Sequence, residues 1–205
     1  MRRVWGGSFA EIDVRKTDVL PRDLLGAAAF VVSGSASSVT ERAPWMLRTE
    51  ELLRAAHAAD VPVLGICFGH QILASAHGGE IVKNPRGREI GTVTVTRLGD
   101  DPLFEGLDDR FLCNATHVDT VGVLAPGASV LATTALEPTA AFALGRSRGV
   151  QFHPEIDGDV MRGYLTERRA ILEREGLDAD ALLAAAVDTP AGERMLENFV
   201  TRFVR

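Results

Sequence analysis

Cys67 stands between Gly65 and Gly69, directly after the apolar run 61–66 and just before the helix-forming Gln71-Ile-Leu-Ala-Ser-Ala76. This pattern predicts a strand, a tight turn and a helix with a thiol at the apex. Glycines two before and two after the apex let the backbone turn sharply and lift the side chain out of a sheet, as in the nucleophile elbow of hydrolases. A helix N-terminus at that point adds unpaired N–H groups and the positive end of the helix dipole, which favour a thiolate. A lone cysteine at a strand end also suits buried packing; the bracketing glycines favour the nucleophile. Downstream, Gly149-Val-Gln-Phe-His-Pro-Glu155 supplies a second set of reactive groups. Pro154 fixes the backbone between His153 and Glu155, and residues two apart on an extended segment share a side. Glu155 can therefore hold one ring nitrogen of His153 while the other faces a thiol. Base beside nucleophile, with a carboxylate orienting the base, is what acyl transfer by cysteine requires.

Taken together, Gly65-Ile-Cys-Phe-Gly-His-Gln71 and Val150-Gln-Phe-His-Pro-Glu155 resemble the two signatures of the class I (triad-type) glutamine amidotransferase family. Phe30-Val-Val-Ser-Gly-Ser-Ala36 resembles that family's strand and glycine loop. Met195-Leu-Glu-Asn-Phe-Val200 is similar to the closing helix in the glutaminase domain of GMP synthetase. The likeness covers almost the whole chain. It implies a triad of Cys67, His153 and Glu155 that opens the carboxamide of glutamine through a γ-glutamyl thioester. It also implies main-chain N–H donors to the oxyanion at Ser35 and Phe68. Relatives often carry glycine where Ser35 stands, a change that a main-chain donor tolerates when the backbone angle suits a side chain. Gln71, Thr116, His117, Val118 and Asp119 are implied to line the pocket for the α-amino and α-carboxylate groups. His117 reads equally well as a strand-end histidine satisfied by a neighbour. His70 follows the elbow and would support the turn. His57 and His77 read as surface or capping residues, and Cys113 as buried packing. The resemblance implies no metal and no organic cofactor, and the sequence shows neither a metal-ligand cluster nor a Walker-type phosphate loop.

The elements that must position these groups alternate along the chain. Strands are expected at 9–14, 27–32, 61–66, 79–83, 91–98, 111–117, 129–134, 140–144 and 149–152. Helices are expected at 44–59, from the elbow to 77, and at 161–175, 179–187 and 191–204. Short helical turns fall at 21–26 and after Asp101. Strand–helix alternation followed by antiparallel strands implies an α/β fold: an open, mostly parallel sheet flanked by helices, flavodoxin-like in its layers. The thiol then lies at the carboxyl end of a central strand, where open α/β sheets bind ligands. The resemblance also implies a strand and a full helix ahead of segment 9–14, yet Met1–Gly7 resembles only the tail of that helix. The expectation is therefore a missing N-terminal strand, through truncation or with another segment in its place. Loss of such a strand leaves unpaired edges.

A chain of 205 residues suits one glutaminase domain. An inserted helical segment at about 159–188, as in stand-alone GMP-synthase-like members, reads as extra packing, a cover over the pocket or a docking face. A formal charge of −6 speaks against nucleic acid as partner. No apolar run approaches the ~18 residues of a membrane span, and no signal peptide is apparent. With Cys67 and Cys113 alone the sequence speaks against a disulfide framework, and a free nucleophilic thiol suits the cytoplasm. Three readings follow. One is a glutaminase that supplies ammonia to a separate acceptor synthetase. Another is a γ-glutamyl peptidase, its leaving-group side shaped by Ile156-Asp-Gly-Asp159 and the inserted helices. The third, a non-catalytic regulatory relative, is opposed by the intact Cys67, His153 and Glu155.

Overall fold

The computed structural model describes residues 7–16 and 26–204, and in it the apolar runs of the sequence build a seven-stranded sheet. In chain order the strands are β1 (Phe30–Val32), β2 (Val63–Ile66), β3 (Glu80–Lys83), β4 (Glu89–Arg97), β5 (Arg110–His117), β6 (Asp119–Val123), β7 (Ser129–Thr133), β8 (Ala141–Leu144) and β9 (Ser147–Val150). The helices are α1 (Pro44–Ala58), α2 (Phe68–Ala76), α3 (Gly158–Arg174), α4 (Ala179–Ala185) and α5 (Pro190–Phe203). The sheet runs β1-β2-β9-β8-β7-β4-β5. Its first three strands are parallel and the rest antiparallel. Strands β3 and β6 form a separate antiparallel ribbon.

Strand β2 is buried along its whole length, as an apolar run inside a parallel sheet should be. Helix α1 makes the crossover that joins parallel β1 to β2, and Pro44 opens it at the first turn, where the missing N–H is harmless. Met46 and Leu53 of α1 pack with Ile72 and Leu73 of α2 in one core cluster. Met195, Leu196 and Phe199 of α5 join Leu64, Phe111 and Phe152 in another. Helix α3 buries Met161, Leu165 and Leu172, and α4 buries Ala179, in a cluster with Ile90 of β4.

The sheet curls until its last strand, β5, meets the chain leaving β9. An isolated antiparallel bridge joins Asn114 to His153, whose N–H donates to the Asn114 carbonyl at 2.8 Å. The Asn114 side chain is fully buried and saturated. Its Nδ2 donates to the carbonyls of Ile156 and Val187, and its Oδ1 accepts from the Thr92 hydroxyl. The curl thus brings the carboxyl ends of β2, β5 and β9 to one place.

Several expectations change. Segment 9–14 forms no strand; it runs as irregular chain into a turn at 14–16. The helical turn expected at 21–26 lies outside the described residues apart from Gly26. Among the described residues no strand pairs with the outer side of β1. That side faces a cleft of about 1350 Å³ lined by 8–15, Trp45, Phe199 and Val204. Strand β6 was not anticipated, because only Val118 separates it from β5 and no turn residue marks the break.

The two glycines around Cys67 serve close approach rather than turning. Neither has positive φ; Cys67 itself does. A Cβ on Gly69 would lie 2.0 Å from the Val32 carbonyl oxygen, and one on Gly65 would lie 2.4 Å from the Gly69 carbonyl oxygen. Gly69→Ala should therefore cost about 3 kcal/mol or more, the upper range of overpacking. Gly99→Ala, with open space around it, should stay within about 0.5 kcal/mol. Denaturant unfolding of the two variants tests the contrast.

Candidate active site

Cys67 caps the N-terminus of α2 with φ 51° and ψ −102°, a region that side chains other than glycine rarely enter. The surrounding bonds hold it there. Its N–H donates to the Val150 carbonyl at 2.8 Å, and its carbonyl accepts from Gln71 N at 3.1 Å. Such a backbone costs on the order of 1–3 kcal/mol, offset by the rest of the fold. The thiol is nearly buried, 3.8 Å from the Thr116 carbonyl oxygen. Phe68 opens α2, so its N–H falls in the first turn, where no helical carbonyl is available.

His153 follows β9 and reaches the same end of the sheet. Its Nδ1 lies 2.7 Å from Glu155 Oε1, so an Nδ1–H donates to the carboxylate. Its Nε2 is buried and without a hydrogen-bond partner. Burial alone disfavours the imidazolium. The nearby Cys67 sulfur and the Glu155 carboxylate bonded to Nδ1 outweigh it, and the His153 pKa is pushed up to about 10. The glycine loop after β1 lies against both groups. A Cβ on Gly34 would stand 3.0 Å from His153 Cε1 and 3.8 Å from Cys67 Cβ. Ser35, next in the loop, has no positive φ, so a residue with a side chain fits there.

The wall opposite is polar and densely bonded. Gln71 Nε2 donates to the Asp119 carbonyl and to Gln151 Oε1, both at 3.0 Å. The Asp119 carboxylate accepts from the Ser38 hydroxyl at 2.5 Å, and the Val118 carbonyl accepts from Asn84 N at 2.8 Å. Both ring nitrogens of His117 have protein partners, Glu89 Oε2 and the Asp119 carbonyl, each at 3.0 Å. His70 is fully buried against Phe142, and burial lowers its pKa to about 3, so it is neutral. His77 bonds the Leu73 carbonyl and meets His57 edge-on, away from the thiol of Cys67. Burial pushes the Cys113 thiol strongly up, which removes it as a nucleophile. Among the described residues no group of three or more His, Cys, Asp or Glu side chains is placed to hold a metal ion.

Sequence reasoning missed Gln151, Asn114, Ser38, Glu89 and Glu137. For Gln151 a signal existed: it lies within the Val150–Glu155 motif, two residues before His153. The others come from distant segments and carry no local mark.

A thiol at a strand–helix elbow beside a histidine–carboxylate pair, on a curled α/β sheet, is chemically able to transfer acyl groups. The model of the family described as glutamine amidotransferase class-I matches residues 9–171. The chain belongs to that family. It is 40% identical over 153 residues to a glutamine-hydrolyzing GMP synthase of Aeropyrum pernix, covering 73% of this chain and 28% of that protein. With the corresponding synthase of Thermomicrobium roseum the identity is 34% over 171 residues, covering 74% and 30%. The chain thus spans less than a third of these relatives' length. Among solved structures, a glutamine amidotransferase from Thermotoga maritima superposes with a TM-score of 0.73 at 26% identity, covering 85% of this chain and 78% of that one. One from Methylobacillus flagellatus gives 0.72 at 26% identity, covering 89% and 77%. No helix among the described residues is long and apolar enough to cross a membrane.

The raised pKa of His153 has two removable causes. Glu155→Gln and Cys67→Ala should each move it down from about 10, since burial is left with less to oppose it. The sign follows from the folded value lying above the ordinary 6.5: the proton on His153 favours the folded state fully below pH 6.5, and that advantage is lost as the pH rises through about 10. An NMR titration of the ring in the three proteins measures the shift.

Proposed function

We propose that this chain hydrolyses the side-chain amide of glutamine to glutamate and ammonia. The observation that carries the reading is His153, bonded to Glu155 through one nitrogen and unpaired at the other, beside a thiol lifted on the β2–α2 elbow. His153 takes the Cys67 proton, and the thiolate attacks the carboxamide carbon. The N–H groups of Phe68 and Ser35 hold the oxyanion. Collapse breaks the C–N bond, and His153 gives its proton to the departing ammonia. A γ-glutamyl thioester remains on Cys67. Water that has lost a proton to His153 then cleaves the C–S bond and restores the thiol. Gln71 and segment 116–119 border the amino-acid end of the substrate.

We take the chain as one glutaminase domain whose inserted segment at about 159–188 is extra packing, because α3 and α4 bury their apolar residues on β4. Two relatives are glutamine-hydrolyzing GMP synthases, and on that footing the ammonia passes to a separate acceptor synthetase in the cytoplasm.

Ammonia and glutamate release from glutamine, run beside amine release from γ-glutamyl peptides, tests this function. Cys67→Ala should be inactive, and a rate near wild type would overturn the assignment. Removing the base in His153→Ala should cost about 10²–10⁴-fold, and Glu155→Gln less, because Glu155 only orients the ring. Preferential cleavage of the peptides would make the chain a γ-glutamyl peptidase.

A further inference from the structure

Behind the pocket wall lies a buried polar cluster that the hydrolytic scheme does not use. Glu89 on β4, His117 at the end of β5 and Glu137 after β7 are all buried, with side-chain exposures of 5%, 1% and 0%. His117 Nδ1 stands 3.0 Å from the Asp119 carbonyl oxygen, and its Nε2 stands 3.0 Å from Glu89 Oε2. A carbonyl only accepts, so Nδ1 must carry a hydrogen. One further proton then lies between Nε2 and Glu89, on whichever of the two atoms. An ionised Glu89 beside a neutral ring without that proton would draw the hydrogen to Nε2, and the Nδ1 lone pair would face the carbonyl. Thr134 fixes Glu89: its hydroxyl donates to Oε1 while accepting from Glu137 N. Glu137 Oε1 accepts from Thr120 and from Thr139 N, and its Oε2 lies 3.9 Å from His117 Nδ1. Burial pushes the Glu137 carboxyl up, toward the neutral acid.

The Asp119 carbonyl is therefore gripped twice, by His117 and by Gln71 Nε2. The same short segment begins at Thr116, whose carbonyl faces the Cys67 thiol. We infer that Glu89 and His117 are a positioning pair: Glu89, itself held by Thr134, anchors the ring at Nε2, so that Nδ1–H clamps the Asp119 carbonyl and holds wall 116–119 in place opposite Cys67. The pair acts through the wall and touches neither the reacting bond nor the thiol. This inference rests on the glutaminase reading.

The test compares how fast Cys67 is alkylated by a chloroketone built on the glutamine skeleton and by iodoacetamide, which needs no pocket. Wild type should prefer the glutamine analogue. Glu89→Met should lose that preference by about tenfold or more, as misplaced binding groups do, with the iodoacetamide rate little changed and a lower melting temperature, since His117 Nε2 and the Thr134 hydroxyl lose a buried partner. Glu89→Gln should keep the preference, because its amide can donate to Nε2 and so still anchor the ring. Thr134→Val loosens Glu89 by one hydrogen bond and should show a smaller drop; it decides the matter if Glu89→Met does not fold. Unchanged preference in the Met variant, or in Thr134→Val in its place, overturns the inference, as does an equal loss in Glu89→Gln. A wild type without preference overturns the glutaminase reading. The ¹⁵N signals of the His117 ring then judge the proton placement separately: a protonated Nδ1 in wild type is expected, and a neutral ring with its hydrogen on Nε2 and Nδ1 bare overturns the clamp.

Discussion

The site depends on how closely helix α2 is pressed onto strands β1 and β2. There is no room for a Cβ at either Gly65 or Gly69, so the first turn of the helix starts almost on top of the sheet. The chain has one residue, Cys67, in which to reverse from strand to helix, and that residue takes the positive φ. Its N–H then has one nearby acceptor in line, the carbonyl of Val150 at the end of β9. That bond ties the elbow to the strand that leads, three residues later, to His153. Nucleophile and base are thus placed by a single contact between neighbouring parallel strands.

The curl of the sheet adds the third side. Without it β5 would be a distant edge, because four strands separate it from β2 in the sheet order. The Asn114–His153 bridge closes that distance, and the amide of Asn114 joins β5, the chain after His153 and the chain after α4 at Val187. Truncating that amide would leave buried carbonyls unpaired, a loss of about 1–3 kcal/mol each. Helices α3 and α4 are therefore bonded into the wall behind the histidine rather than laid loosely over the surface.

What could be read from the chain follows from range. The elbow and the His-Pro-Glu segment are short-range patterns, with residues two apart and glycines two either side, and each is visible within a few residues of chain. The helices were legible for the same reason. Segment 9–14 looked like a strand because Phe9, Ile12 and Val14 suit one, yet strand formation needs a partner, and no strand lies on that side of β1 among the described residues. The role of Gly65 and Gly69 was legible in position but not in cause, since steric room is a property of two elements meeting. Glu89, Glu137 and Asn114 were invisible because each gains its partners only when β4, β5 and the chain after β7 come together.

At position 67 the fold asks an ordinary residue to occupy a backbone region that glycine enters freely. A lineage selected for robustness alone would drift to glycine there, gaining stability and losing the thiol. Stability and chemistry make opposite demands on this one residue. A cysteine at this site therefore gives up an easier backbone for a reactive thiol.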